Sequence, residues 1–68
     1  MKLKEAIAEL ELASDVDIFV SIYGKPESEF VCQVQDVDAK FLKQKVKVIQ
    51  KNHGGIKYNY GCYKFVLM

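Results

Sequence analysis

The sequence predicts an α+β domain in which an N-terminal helix packs on a four-stranded antiparallel sheet made of two hairpins. Three observations carry this expectation. Apolar residues recur at helical spacing over the first dozen positions, they alternate with polar residues in later runs, and turn-forming residues separate those runs. A chain of 68 residues has room for one domain, spanning 1–68. A domain of this size buries only about 60% of the surface its unfolded chain exposes, so each apolar stripe matters to its stability.

Residues 2–13 read as an amphipathic helix, with Leu3, Ala6, Ile7 and Leu10 on one stripe, Ala13 at its edge and Ser14-Asp15 as the exit. Leu12 falls off the stripe. A first strand follows over 17–23, where Ile18, Val20 and Ile22 alternate with Asp17, Phe19, Ser21 and Tyr23. Gly24-Lys25-Pro26-Glu27-Ser28 is the clearest turn signal. It leads into a second strand over 29–37, with Phe30, Cys32 and Val34 on one face and Val31, Gln33, Gln35 and Val37 on the other.

Two arrangements fit 38–51. As one helix it places Ala39, Leu42, Val46 and Ile49 on a shared face behind an Asp38 N-cap, which gives an α-β-β-α-β order. As a helical turn over 38–43 and a strand over 45–51, it points Val46 and Val48 inward and leaves Ile49 out of phase. The second arrangement is preferred, because KVKVIQK is rich in β-branched residues and Asn52-His53-Gly54-Gly55 reads as a hairpin turn. The last strand covers 56–67, with a bulge expected at Gly61.

Composition narrows the function. All ten basic residues are lysine, so the side chain best suited to bidentate reading of guanine or phosphate is missing. Residues 1–38 hold three lysines against nine acids, a net −6, whereas 39–68 hold seven lysines and no acid, a net +7. A chain divided in this way can pair with itself, pair with a copy of itself, or display surfaces of opposite sign. No apolar run approaches the roughly 20 residues needed to cross a bilayer as a helix. The opening MKLKEAIAEL carries acids where a secretory leader needs an apolar stretch, so a cytoplasmic protein with reduced thiols is expected.

Catalytic and metal-binding patterns are weak. His53 is the lone histidine, Cys32 and Cys62 have no metal-ligand spacing, and Asp36 and Asp38 fit capping better than cation binding. The expectation is therefore a non-enzymatic protein with no cofactor and no metal.

The strongest functional inference is geometric. The core expected from the pattern is Leu3, Ile7, Leu10, Ile18, Val20, Ile22, Phe30, Cys32, Val34, Val46, Val48, Tyr58 and Phe65. One short helix covers one face of a sheet, and the other face then carries Phe19, Tyr23, Val31, Val37 and Val66, with Ile49 and Met68 beside them. That face, or a sheet edge, is the expected interaction surface, and the expected partner is a second copy (a homodimer) or a host protein. The alternative is a small module for single-stranded nucleic acid, using Lys45, Lys47, Lys57, Tyr58, Tyr60 and Lys64, where cations meet phosphates and flat rings stack on bases.

The stretches MKLKEAIAELELASDVDIFVSIYG and VQDVDAKFLKQKVKVIQKNHGGIKY resemble small phage or prophage proteins of low-GC bacteria in the order of their features. That resemblance implies an α+β meander, a bacterial cytoplasmic setting and an accessory or host-interaction role. It transfers no functional residue.

Overall fold

The structure is a computed structural model and describes residues 1–51 and 62–68. Its elements are α1 (Leu3–Glu9), β1 (Asp17–Ile22), β2 (Lys25–Gln33), a 3-10 turn (Val34–Asp36), α2 (Ala39–Leu42), β3 (Val46–Gln50) and β4 (Lys64–Leu67). The class is α+β with a four-stranded sheet, as the pattern predicts. The sheet is mixed, however. Its order is β2-β1-β4-β3, with β1 antiparallel to β2, β4 antiparallel to β3, and β1 parallel to β4.

Burial explains the departure from a purely antiparallel meander. Ile18, Phe19, Val20 and Ser21 are consecutive buried residues, and Phe65 and Leu67 are fully buried. Strands apolar on both faces belong in the middle of a sheet. KPESEFVCQ carries Pro26 and two glutamates, and VKVIQ is half-exposed or exposed throughout, so β2 and β3 take the edges. The 3-10 turn and α2 carry the chain from one edge to the other.

The hairpin turn is tighter than the sequence suggests. Ile22 pairs with Lys25, and Gly24 supplies the left-handed φ of 81°. Val20 pairs with Phe30, so Pro26–Glu29 is a bulge inside β2 instead of the loop. Ser28 plugs it, its Oγ accepting from the Ile22 amide at 2.8 Å and donating to the Lys25 carbonyl at 2.5 Å.

α1 stops earlier than its apolar stripe implies. The Glu11 amide donates to the Ala8 carbonyl and the Leu12 amide to the Ile7 carbonyl, the paired bonds of a Schellman cap. This cap gives Leu12 its place, folded back against the buried cluster. It also puts Glu11 at φ 53°, a position that favours glycine. At the other end Glu5 Oε1 accepts from the Lys2 amide at 2.7 Å. That bond, helped by the nearby amino terminus, Lys2 and Lys4, holds the Glu5 carboxyl below its ordinary range although it lies in water.

One buried cluster joins Leu3, Ala6 and Ile7 of α1 to Ile18, Val20, Phe65 and Leu67 of the central strands, with Phe41 and Leu42 of α2 packed at its margin. The backbone of α1 runs closer to α2 than to any strand. The helix therefore feeds three side chains into the core; it does not lie along the sheet as expected. Its N-terminus is tied to the sheet, since Lys2 bridges Lys45, the Leu3 amide donates to the Gln44 carbonyl and the Val46 amide to the Met1 carbonyl.

The helical turn and strand expected over 38–51 are present, and Asp38 caps α2 by accepting from the Lys40 amide at 3.0 Å. A bulge at Lys47 corrects the phase of β3. Val46 pairs with Leu67, Val48 with Val66 and Ile49 with Phe65, so Ile49 shares the core-side face and Val48 the opposite one. Val37 belongs to the buried cluster, because the 3-10 turn ends β2 at Gln33 and redirects the chain inward. Phe30, expected in the core, sits at the β2 edge with its ring 5.4 Å from that of Phe41. The expected turn at 52–55, Tyr58 and the Gly61 bulge lie outside the described residues.

Glu11→Gly should relieve the left-handed position and stabilise the fold by about 1 kcal/mol, raising Tm by roughly 4–8 °C in thermal unfolding. An unchanged or lower Tm would show that Glu11 carries no strain.

Candidate functional site

Strand pairing sorts the second sheet face without reference to exposure. Phe19 lies beside Val31 on one side and Lys64 on the other, and Lys64 beside Gln50. Ser21 lies beside Val66, and Val66 beside Val48. At the end of the sheet the Tyr23 amide donates to the Leu67 carbonyl and the Met68 amide to the Lys45 carbonyl, which puts Tyr23, Met68 and Lys45 in one row. No residue of α1 or α2 belongs to this face, and Phe19, though buried, stands apart from the cluster that the helices join.

Phe19 and Ser21 are buried at its centre, and the described residues around them are more exposed. Val31 is 40% exposed, Val48 41%, Tyr23 60% and Met68 64%, and Val66 is half-buried. Of the five residues expected here, Tyr23, Val31 and Val66 are accessible, Phe19 is a buried centre, and Val37 is in the core on the other side. Val48 was missed. The bulge at Lys47 that turns it outward has no glycine or proline to announce it.

The β2 edge adds a second element. The Val34 amide donates to the Val16 carbonyl, so the even-numbered residues of the regular part of β2 face β1. The backbone groups of Val31 and Gln33 therefore point away from the sheet.

The lysines expected to bind nucleic acid divide. Lys64 Nζ lies 2.6 Å from Glu29 Oε1 and is paired. Lys45 is exposed, and Lys47 is half-free, its Nζ 4.6 Å from the centroid of the Tyr23 ring. Lys57, Tyr58 and Tyr60 lie outside the described residues.

Both thiols are free. Cys62 is buried and its Sγ donates to the Asp17 carbonyl at 2.8 Å, whereas Cys32 is half-buried beside Ile18. Burial pushes both thiols up, and the negative charge of Asp17 adds to this at each, with Asp36 contributing more than Asp17 at Cys32. Among the described residues no group of three or more His, Cys, Asp or Glu side chains could hold a metal ion, and no helix is long and apolar enough to cross a membrane.

No family model matches the chain, no curated protein matches its sequence, and no solved structure matches its fold.

Raised thiol pKa values reduce the thiolate available at neutral pH, so a disulfide reagent should titrate the native protein slowly, Cys32 before Cys62. Both should react at once in denaturant. A rapid native phase at pH 7 would contradict this reading of the two sites.

Proposed function

We propose that this chain is a non-enzymatic interaction protein that pairs with a second copy through the second sheet face. The supporting observation is an apolar surface formed by Val31, Val48 and Val66 around Phe19, with no described helix over it. Exposed apolar groups gathered on one face gain free energy when another surface excludes water from them.

Charge favours a second copy as the occupant. Asp15, Asp17 and Asp36 gather where β1 begins and β2 ends, and Lys2, Lys45 and Lys47 gather where β3 begins and β4 ends. A two-fold axis between those corners sets the basic corner of each copy over the acidic corner of the other. The outward backbone groups of Val31 and Gln33 offer the same partner a strand edge. Under this reading the phage-like order of features fits an accessory protein of a bacterial cytoplasm, with a host protein as the other occupant such a surface could take.

Light scattering on the full chain tests it. The wild type should have a mass near twice 7.8 kDa at micromolar concentration, and Val31→Lys and Val48→Lys should each return it to one chain with unchanged circular dichroism. Both positions are exposed, so folding should survive. A monomeric wild type, or a dimer indifferent to both substitutions, would remove the basis for this reading.

A further inference from the structure

One end of the sheet carries chemistry that an apolar docking face does not need. Tyr23 projects from the hairpin turn and is the most exposed aromatic side chain among the described residues. The Lys47 ammonium rests over its ring, and the Lys47 bulge is what takes that side chain out of the regular β3 ladder. Lys45 lies in the same row through its bond to Met68, and Lys2 continues the row through its bridge to Lys45. Three lysines and an open ring thus share one end of one face. The carboxylate that the hydrogen bonds bring to this row is that of Glu5, already engaged with the Lys2 amide. Glu27 falls in the β2 bulge, between Lys25 and Phe30.

We propose that this row is a binding site for single-stranded nucleic acid, with Tyr23 stacking on a base and Lys2, Lys45 and Lys47 neutralising the phosphates that flank it. A ring beside cations suits a strand that offers a flat base and a phosphate within one nucleotide; an acidic peptide uses only the charge. Because the lysines act as point charges and no arginine reads base edges, the site tolerates sequence and depends steeply on salt. It differs from the nucleic-acid set expected from the sequence: Tyr23 and Lys2 enter, and Lys64 leaves because Glu29 holds it.

The test is a fluorescence anisotropy titration of the full chain with a labelled oligothymidylate of about 15 nucleotides. With about three phosphates neutralised, affinity should fall about 20-fold between about 50 and 200 mM salt. Tyr23→Ala should weaken binding about tenfold or more, and Tyr23→Phe should restore most of it. Lys47→Ala and Lys45→Ala should each weaken it severalfold, while Lys40→Ala, which removes the same charge from α2, should change it less than about twofold. All these side chains are exposed or half-exposed, and circular dichroism verifies that each variant is folded. Absence of saturable binding at the lower salt would overturn the site. So would equal losses from Lys40→Ala and Lys47→Ala, an unchanged affinity in Tyr23→Ala, or equal competition by polyglutamate or by vesicles of anionic lipid, since each reports charge without stacking. Self-pairing sets the acidic corner of a second copy over the same lysines, so the two are separated with Val31→Lys, which lies outside the row: its monomer should bind the oligothymidylate at least as tightly as the wild type, and loss of binding there would overturn the site.

Discussion

The parallel pairing of β1 with β4 is the constraint on which the rest of the structure depends. The amides of Phe19 and Tyr23 donate to the carbonyls of Tyr63 and Leu67, and the register sets Val20 against Phe65 and Ile22 against Leu67. These pairs place the largest buried side chains of the sheet at its centre. Each fully buried apolar side chain of this size contributes about 1.5–3 kcal/mol before chain entropy is subtracted. With the centre occupied, β2 and β3 can only be edges, and the chain must cross from one to the other through the 3-10 turn and α2. The same crossover carries Val37 into the core and brings α2 beside α1. Both helices then serve one face of the sheet, and the composition of the other face becomes the question on which function turns.

Much of this was legible in the residues. The helical stripe of Leu3, Ala6 and Ile7, the alternation of Ile18 and Val20, the Asp38 cap and the strand in KVKVIQK all express local periodicity or capping chemistry, and these act over a few positions. The strand order is a long-range choice and does not show in alternation. Composition carries one part of it, the proline that marks β2 as an edge, whereas the four consecutive buried positions that make β1 central emerge only in the folded sheet. Bulges were the least visible. Those at 26–29 and at Lys47 arise because paired strands must align their buried faces, and no residue at Lys47 signals it. The site inherits that limit. Val48 and the Tyr23–Lys47 stack follow from a bulge, and both were invisible to a reading by strict alternation.

The division of charge along the chain acquires a spatial meaning once the strand order is known. Acids of the first half and lysines of the second, joined by Lys2, occupy opposite corners of one sheet, because β1 begins and β2 ends where the acids lie and β3 begins beside the amino terminus. Lys64 shows that part of this charge is spent within the molecule, in its pair with Glu29. The lysines of the basic corner, which make no ion pair among the described residues, surround an exposed ring, and the apolar residues of the same face surround Phe19. Self-pairing and nucleic-acid binding therefore draw on one surface: the apolar groups serve the first alone, Tyr23 the second alone, and Lys2, Lys45 and Lys47 serve either, so the two compete for the basic corner, and both require the strand order described here.

Nuclear Overhauser contacts together with amide exchange on the full chain test that order most directly. Cross-strand contacts should link β1 to β4 in parallel register, with the Phe19 and Tyr23 amides strongly protected. Contacts between β2 and β3, which a simple meander would make neighbours, together with rapid exchange at Phe19 and Tyr23, would contradict the account and withdraw the surface built on it.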